Sequence, residues 1–356
     1  MFVLDGLRGW MALTVVLYHT TLAFFPGEEN KLLLVIGNGA LAVYVFFVIS
    51  GFSASFAFIT TGDKLVVIRA ALARYPRLTL PILTSCSLAY LVFSAGLMYN
   101  IPAAAAAGTE NWLGCHYRFS PSLLAMLEFS IYDVYFFGDN ARSWNSVLWI
   151  MPIEIVGSFM VYGIILFTGR WRRLVVGVML PGCFWLGSHL TAFLLGIVLA
   201  EIAGWGGFRH WRISRSAAAT SVFVLLLALG LANWGGVYLT APPAMSVTAA
   251  LVVLAVLGSA RVSVPLEGRV SQWLGRRSFS IYLTHLIVIC SASSSLYLEL
   301  AHAGFSGTVC RVATLVATLV IAVLVGHLFE PVERLSHLFT LWLTGLIWPP
   351  LAVRPG

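Results

Sequence analysis

The chain has 356 residues, of which 60% are hydrophobic and 10% are charged, and its mean hydropathy is +0.92. Soluble domains carry roughly 25% charged residues, so this composition excludes an ordinary soluble enzyme and indicates a membrane protein with several spans. The formal net charge is +7, but the basic residues follow the pattern of membrane topology and not that of a nucleic-acid-binding protein.

Ten apolar segments are candidate membrane-spanning helices, which need roughly 20 residues in a typical bilayer. In chain order they are 7–25, 33–59, 77–99, 146–168, 174–187, 189–203, 216–233, 244–260, 279–300 and 308–330. The stretches 122–137 and 338–350 are also apolar but are expected to form interfacial or re-entrant helices. The sequence therefore predicts an all-α polytopic membrane protein. One membrane-embedded domain covers 1–335, and a short interfacial tail over 336–356 holds no soluble domain.

Basic residues are distributed unevenly between the two sides of this predicted bundle. With the N-terminus in the cytoplasm, 17 of the 21 Lys and Arg residues face the cytoplasm and 4 face outward. Because cytoplasmic loops are enriched in Lys and Arg, both termini are predicted to be cytoplasmic. The longest outer loop, about 97–145 by this map, is where an external acceptor would be met.

The first span carries Arg8 and His19, eleven residues apart. In a helix that spacing makes three turns plus roughly 20°, so both side chains share a face about 16 Å apart along the axis. Asp5 precedes Arg8 by three residues and can pair with it. Ionisable residues at such depth are costly, which indicates a functional site: an anion held at one end and proton chemistry at the other.

Two further segments carry polar residues near the second and third spans. Arg74 and Arg77 lie three apart before the third span, at an expected helix start, and guanidinium groups suit phosphates. The alternative is that they only anchor a cytoplasmic loop. Ser50 and Gly51, in the second span, offer a hydroxyl beside a position of close packing, and helix packing is the commoner role of such a pair.

The fourth and ninth spans carry the remaining candidates. Glu154 has no basic neighbour in its own segment, so it needs a partner from elsewhere or must stay protonated. Ser158 shares its face one turn later, and Pro152 is expected to kink this helix. In the ninth span Tyr282 and His285 face together at i,i+3, either as site residues or as interfacial anchors.

Taken in order, these segments resemble acyltransferase family 3, the integral membrane acyltransferases that include bacterial O-antigen and polysaccharide O-acetyltransferases. The resemblance runs along the whole chain. The matching motifs are Arg8 with His19, Phe46-Phe47-Val-Ile-Ser50-Gly51, Arg74-x-x-Arg77, Trp149 through Glu154, and Tyr282-Leu-Thr-His285. Bacterial polysaccharide members usually read Trp-Ser-Leu-x-x-Glu-x-x-Phe-Tyr, whereas Trp149-Ile-Met-Pro-Ile-Glu154-Ile-Val-Gly-Ser resembles fungal members.

The resemblance implies transfer of an acyl group, most often acetyl, from acyl-coenzyme A to a hydroxyl, in a bacterial cell membrane. His19 is then the general base, and Glu154 orients it or binds the acceptor. The coenzyme A phosphates are bound by Arg8, Arg74 and Arg77. The supporting residues are Asp5, Ser50, Trp149, Ser158, Tyr282 and His285.

Acyl-coenzyme A is in that case a co-substrate, and we expect no bound cofactor and no metal, since the five cysteines lack metal-ligand spacing. The other partners are the lipid bilayer and a hydroxyl acceptor, which is a glycan, a lipid-linked sugar or a small molecule. No nucleic acid is expected. Direct transfer and a relay through an acyl group on His19 or Ser50 both remain open.

Two other classes of protein compete with this interpretation. A proton-coupled transporter or flippase would use His19 and Glu154 as a proton relay, but the sequence shows no internal repeat and no pair of interrupted helices. A catalytically inactive sensor or scaffold of the same fold would not need Arg8, His19 and Glu154 intact.

Overall fold

The computed structural model describes residues 2–27, 37–136, 142–234 and 241–347, and every regular element in these ranges is helical. The helices are α1 (Phe2–Phe24), α2 (Gly39–Thr61), α3 (Lys64–Ser94), α4 (Asn100–Ala107), α5 (Leu123–Glu128), α6 (Met151–Thr168), α7 (Arg172–Trp185), α8 (Leu190–Gly204), α9 (Gly206–Trp211), α10 (Arg215–Trp234), α11 (Pro242–Gly258), α12 (Ala260–Glu267), α13 (Arg269–Gly275), α14 (Ser278–Val288), α15 (Ser294–His302) and α16 (Gly307–Ile347). Short 3₁₀ turns precede and follow α6, at Ser146–Ile150 and Gly169–Trp171, and a π-helical turn at Ile289–Ser293 joins α14 to α15.

Within the described ranges, five helical runs are long and apolar enough to cross a membrane. They are Gly39–Thr61, Lys64–Ser94, Ser146–Trp185, Ser278–His302 and Gly307–Gly345. The pair α11 and α12 is bent by 95° and makes a sixth candidate if it forms one span. Two shorter apolar helices are Leu190–Gly204 and Ser216–Ala232. These apolar helices are typical of a helical membrane protein. The number of ten spans and the cytoplasmic position of the termini stay predictions.

Small residues let the helices of this bundle approach closely. A Cβ atom on Gly51 of α2 would collide with the backbone of Phe193 in α8, and one on Gly196 of α8 with the backbone of Val48. The predicted packing role of Gly51 is therefore confirmed. In α1, a Cβ on Gly9 would lie 2.6 Å from the backbone nitrogen of Gly275, so α1 packs directly on α13.

Helix α3 begins earlier than the sequence indicated. The side chain of Asp63 caps it by accepting a hydrogen bond from the backbone of Leu65 at 2.8 Å. Arg74 and Arg77 therefore lie inside the helix, and the prediction that they stand at a helix start is wrong. Pro76 was the misleading signal, because a proline removes one helical hydrogen bond, yet α3 continues through it while packing against α6 and α16.

Two other element predictions differ from the structure. Pro152 lies in the first turn of α6, where its missing N–H has no intrahelical partner to lose, so it starts the helix and does not kink it. The apolar stretch 338–350 is not a separate helix over its described part, because α16 runs unbroken from Gly307 to Ile347. Residues 348–356 lie outside the described ranges.

Candidate active site

Two histidines from distant parts of the sequence meet inside the bundle. His19 Nδ1 of α1 lies 2.8 Å from His285 Nε2 of α14, and the two rings are within 2° of parallel. His285 is fully buried, whereas His19 is partly accessible. The pair exists because α1 packs along α14, which brings together two residues that the sequence placed on separate spans.

The backbone of α14 fixes where the protons of this pair lie. His285 Nδ1 is 2.6 Å from the backbone carbonyl oxygen of Tyr282, and a carbonyl oxygen can only accept. His285 Nδ1 must therefore carry a hydrogen. With both rings neutral, His285 Nε2 accepts from His19 Nδ1–H, which leaves the lone pair on His19 Nε2. His19 is thus held in the tautomer whose Nε2 carries no hydrogen and can accept one.

Tyr282 contributes its backbone carbonyl, and its phenol is anchored elsewhere. The phenolic hydroxyl donates to the backbone oxygen of Val147, just before α6. Both Tyr282 and His285 are buried, so they pack within the bundle and are not anchors at its surface. The prediction that the two side chains face together at i,i+3 is confirmed by their rings, whose centroids are 5.8 Å apart.

Two aromatic side chains from the loop before α5, those of Trp112 and His116, lie next to His19. The ring of Trp112 stacks on that of His19 with centroids 5.4 Å apart, and the ring of His116 meets Trp112 edge-on at 5.1 Å. His116 Nδ1 is 3.2 Å from the hydroxyl of Ser146. Sequence reasoning gave Trp112 and His116 no role, because nothing in their local pattern indicates a contact with α1.

Glu154 finds the basic partner that its own segment lacks. Its Oε1 atom accepts from Arg74 Nη2 on α3 in an ion pair, and from the Ser50 hydroxyl on α2 at 2.7 Å. Glu154 is 8% exposed. Arg74 Nε is buried and has no hydrogen-bond partner among the described residues. The three residues join α2, α3 and α6, and Arg74 keeps one N–H available.

The other predicted phosphate ligands lie near this ion pair. Arg8 pairs with Asp5 at 3.6 Å, which confirms the predicted i,i+3 contact. Arg8 is also within electrostatic range of Glu154, Arg74 and Arg77. The three predicted arginines therefore lie in one region, where Arg74 contacts Glu154, Arg8 contacts Asp5 and Arg77 is exposed. We call Arg8, Arg74, Arg77 and Glu154 the arginine group.

Some predicted residues lie apart from the histidine pair. Within the described ranges, no hydrogen bond or ion pair joins Glu154 or Ser158 to His19. Ser158 is buried on α6. Trp149 is 41% exposed, and its ring contacts that of His189 at 6.3 Å. On α1 itself, Arg8 and His19 lie about 16 Å apart by helix rise.

A cavity of 660 Å³ lies beside these elements without including either histidine. Its lining mixes aromatic rings, such as those of Phe119 and Trp144, with the charged side chains of Glu128, Asp133 and Arg142.

Comparison with known proteins gives one assignment. No curated protein and no solved structure matches the chain. A family model described as an acyltransferase domain, that of acyltransferase family 3, matches residues 2–327. This match spans both the arginine group and the histidine pair and covers well over half of the chain. The protein therefore belongs to acyltransferase family 3.

Proposed function

We propose that the protein transfers an acyl group, most simply acetyl, from acyl-coenzyme A to a hydroxyl, with His19 as the general base. One observation carries this proposal: His285 accepts the Nδ1 hydrogen of His19 and leaves Nε2 with a free lone pair. A general base needs such a lone pair within hydrogen-bond reach of the reacting hydroxyl. Membership of the family supplies the reaction class.

The chemical step follows from this arrangement. His19 Nε2 takes the proton of the acceptor hydroxyl as its oxygen attacks the thioester carbonyl carbon. A carbon–oxygen bond forms, the carbon–sulfur bond breaks, and the thiolate leaves and takes the proton from the His19 imidazolium. The hydrogen bond from His19 Nδ1 to His285 stabilises that imidazolium, the role that the third member plays in hydrolase triads.

Direct transfer fits the geometry better than a relay through Ser50. The Ser50 hydroxyl donates its hydrogen to Glu154, and within the described ranges no hydrogen bond joins it to His19. A serine nucleophile needs a base within hydrogen-bond reach, and the carboxylate beside Ser50 is already paired with Arg74.

The donor would bind at the arginine group. The unpaired N–H of Arg74 suits a phosphate oxygen, with Arg8 and Arg77 adding positive charge. Glu154 then acts as a positioning residue that holds Arg74 in place. Coenzyme A is cytosolic, and 17 of the 21 basic residues lie on the side that we assign to the cytoplasm. The proposed topology has ten spans with both termini in the cytoplasm, and the proposed location is a bacterial inner membrane.

The proposal is tested with purified protein, radiolabelled acetyl-coenzyme A and a panel of hydroxyl acceptors in detergent. Wild type is expected to form a labelled ester, and His19→Ala is not. A transporter has no gradient to use in detergent, so absence of ester from wild type, together with export lost in cells that carry the His19 variant, would reject the transferase. The relay that a transporter needs lacks support, since Glu154 is paired with Arg74.

A further inference from the structure

A closed series of residue contacts begins and ends at His19. In order, the contacts join His19 to Trp112, Trp112 to His116, His116 to Ser146, Asn145 to the backbone of Leu283, and His285 to His19. Asn145 and Ser146 are neighbours in sequence, and Leu283 lies two residues before His285, so only short backbone links complete the series. We call this set of residues the His19 contact group.

Two polar atoms of the His19 contact group have no hydrogen-bond partner among the described residues: Asn145 Oδ1 and His116 Nε2. Asn145 is fully buried, and its Nδ2 donates to the Leu283 carbonyl oxygen at 2.7 Å. Because that carbonyl can only accept, the amide cannot be reversed, and Oδ1 must point away from Leu283. A buried carbonyl oxygen without a partner is costly, so this atom calls for a ligand that donates a hydrogen bond.

The chemistry of the two atoms restricts what the ligand can be. Burial lowers the pKa of His116 to about 4, so its ring is neutral at neutral pH and Nε2 offers one hydrogen bond and no charge. Asn145 Oδ1 is a neutral acceptor, and Trp112 adds an aromatic face. Neutral polar groups beside an aromatic ring suit an uncharged ligand with several hydroxyls, and they bring no positive charge to balance an anion.

We propose that Asn145 and His116 bind the acceptor beside His19, and that this acceptor is a polyol with a second hydroxyl near the reacting one. The inference rests on the proposed function. The reacting hydroxyl has a single hydrogen, which it donates to His19 Nε2. The hydrogen that Asn145 Oδ1 accepts must therefore come from another hydroxyl of the same molecule. A monohydric alcohol would leave Asn145 unpaired and would bind more weakly.

The test compares glycerol and methyl glucoside with 1-propanol as acceptors of labelled acetyl groups, in a detergent without sugar headgroups. Wild type is expected to prefer the polyols. Asn145→Leu and His116→Phe should each raise the KM for polyols about tenfold, as the loss of one hydrogen bond predicts. The KM for acetyl-coenzyme A should stay unchanged. The phenyl ring keeps the contact with Trp112, so His116→Phe tests the site even if Asn145→Leu does not fold.

His302→Phe is the matched control, because His302 is an exposed histidine at the end of α15, and its KM values should equal those of wild type. Equal use of glycerol and 1-propanol by wild type would overturn the inference. Unchanged polyol KM values in both variants would also overturn it and would assign the two atoms to bound water, with acyl transfer left standing. A wild type that acetylates no hydroxyl at all would instead refute the proposed function.

Discussion

His285 decides which nitrogen of His19 carries the hydrogen, and this makes it a positioning residue that can be tested separately. We expect His285→Leu to lower kcat about 10²-fold, at the low end of what a general base contributes, because His19 Nδ1–H then lacks its acceptor. His285→Gln should recover part of the activity, since the amide oxygen can accept that hydrogen bond. Acetyl-transfer kinetics with saturating donor measure both.

Binding of coenzyme A, measured in the His285 variants, is the control for this prediction. The affinity for coenzyme A should stay the same in both, because Arg8 and His19 lie about 16 Å apart along α1. Equal losses in Leu and Gln variants would show that His285 fills space and does not orient His19.

The ion pair between Arg74 and Glu154 makes a second prediction at the residue scale. Arg74→Ala leaves Glu154 buried and unpaired, which should cost about 3 kcal/mol of stability, since Glu154 is only 8% exposed. Adding Glu154→Gln should restore the thermal unfolding temperature but not the affinity for coenzyme A. Lost bonds to a phosphate predict an affinity at least about tenfold weaker by calorimetry.

Arg69→Ala is the matched control, because Arg69 is an exposed arginine on the same helix. It should change neither the unfolding temperature nor the affinity. Donor affinity that recovers in the double variant would reduce Arg74 to a structural partner of Glu154.

Local spacing predicted some of these contacts but not the decisive one. The i,i+3 pair of Asp5 and Arg8 follows from helix geometry alone. The sequence also showed that Glu154 needed a partner, but Arg74 lies 80 positions away. His19 and His285 are separated by 266 positions, and such contacts depend on how whole helices pack.

At the scale of helices, the crossing of α2 and α8 depends on two glycines. Gly51→Ala and Gly196→Ala would each force a Cβ into the backbone of the facing helix, and overpacking of this kind costs about 1–3 kcal/mol. We expect a lower unfolding temperature for both. Gly163→Ala is the control, since nothing lies within 4 Å of its Cβ position on α6, and it should leave stability unchanged or slightly raised. Equal effects of all three substitutions would contradict a close crossing.

The positions of helices were predicted better than their ends. Apolar runs located the helices, because burial in lipid or protein imposes them. The start of α3 was missed because Asp63 makes a cap upstream of the expected boundary, and the length of α16 was missed because a helix with mixed polarity continues past its most apolar part.

At the scale of the whole molecule, the proposal requires the arginine group to face the cytoplasm and the loop near Trp112 to face outward. Cys115 is an exposed native cysteine in that loop. As the single cysteine of the protein, it should react with an impermeant maleimide in intact cells. Gly206→Cys, placed at an exposed site without close neighbours, should react only after permeabilisation. Labelling of position 206 from outside would contradict the predicted topology.

In the proposed mechanism, Arg8 lies at the end of α1 that binds the donor, and His19 lies where the proton is transferred. The composition was enough to predict a helical membrane protein, and the order of the motifs was enough to predict the family. Composition and local pattern could not predict the His19 contact group, because its loop residues carry no periodic pattern and are brought to α1 only by the tertiary fold.

The central claim is that His19 removes the proton of the acceptor hydroxyl, and single-turnover acetyl transfer by purified His19→Gln tests it most directly. Glutamine can keep one hydrogen bond of the ring but cannot take up the proton at neutral pH. We expect transfer to fall at least about 10²-fold, with the protein folded and its affinity for coenzyme A unchanged. Transfer by His19→Gln at a rate within a few fold of wild type would contradict the account.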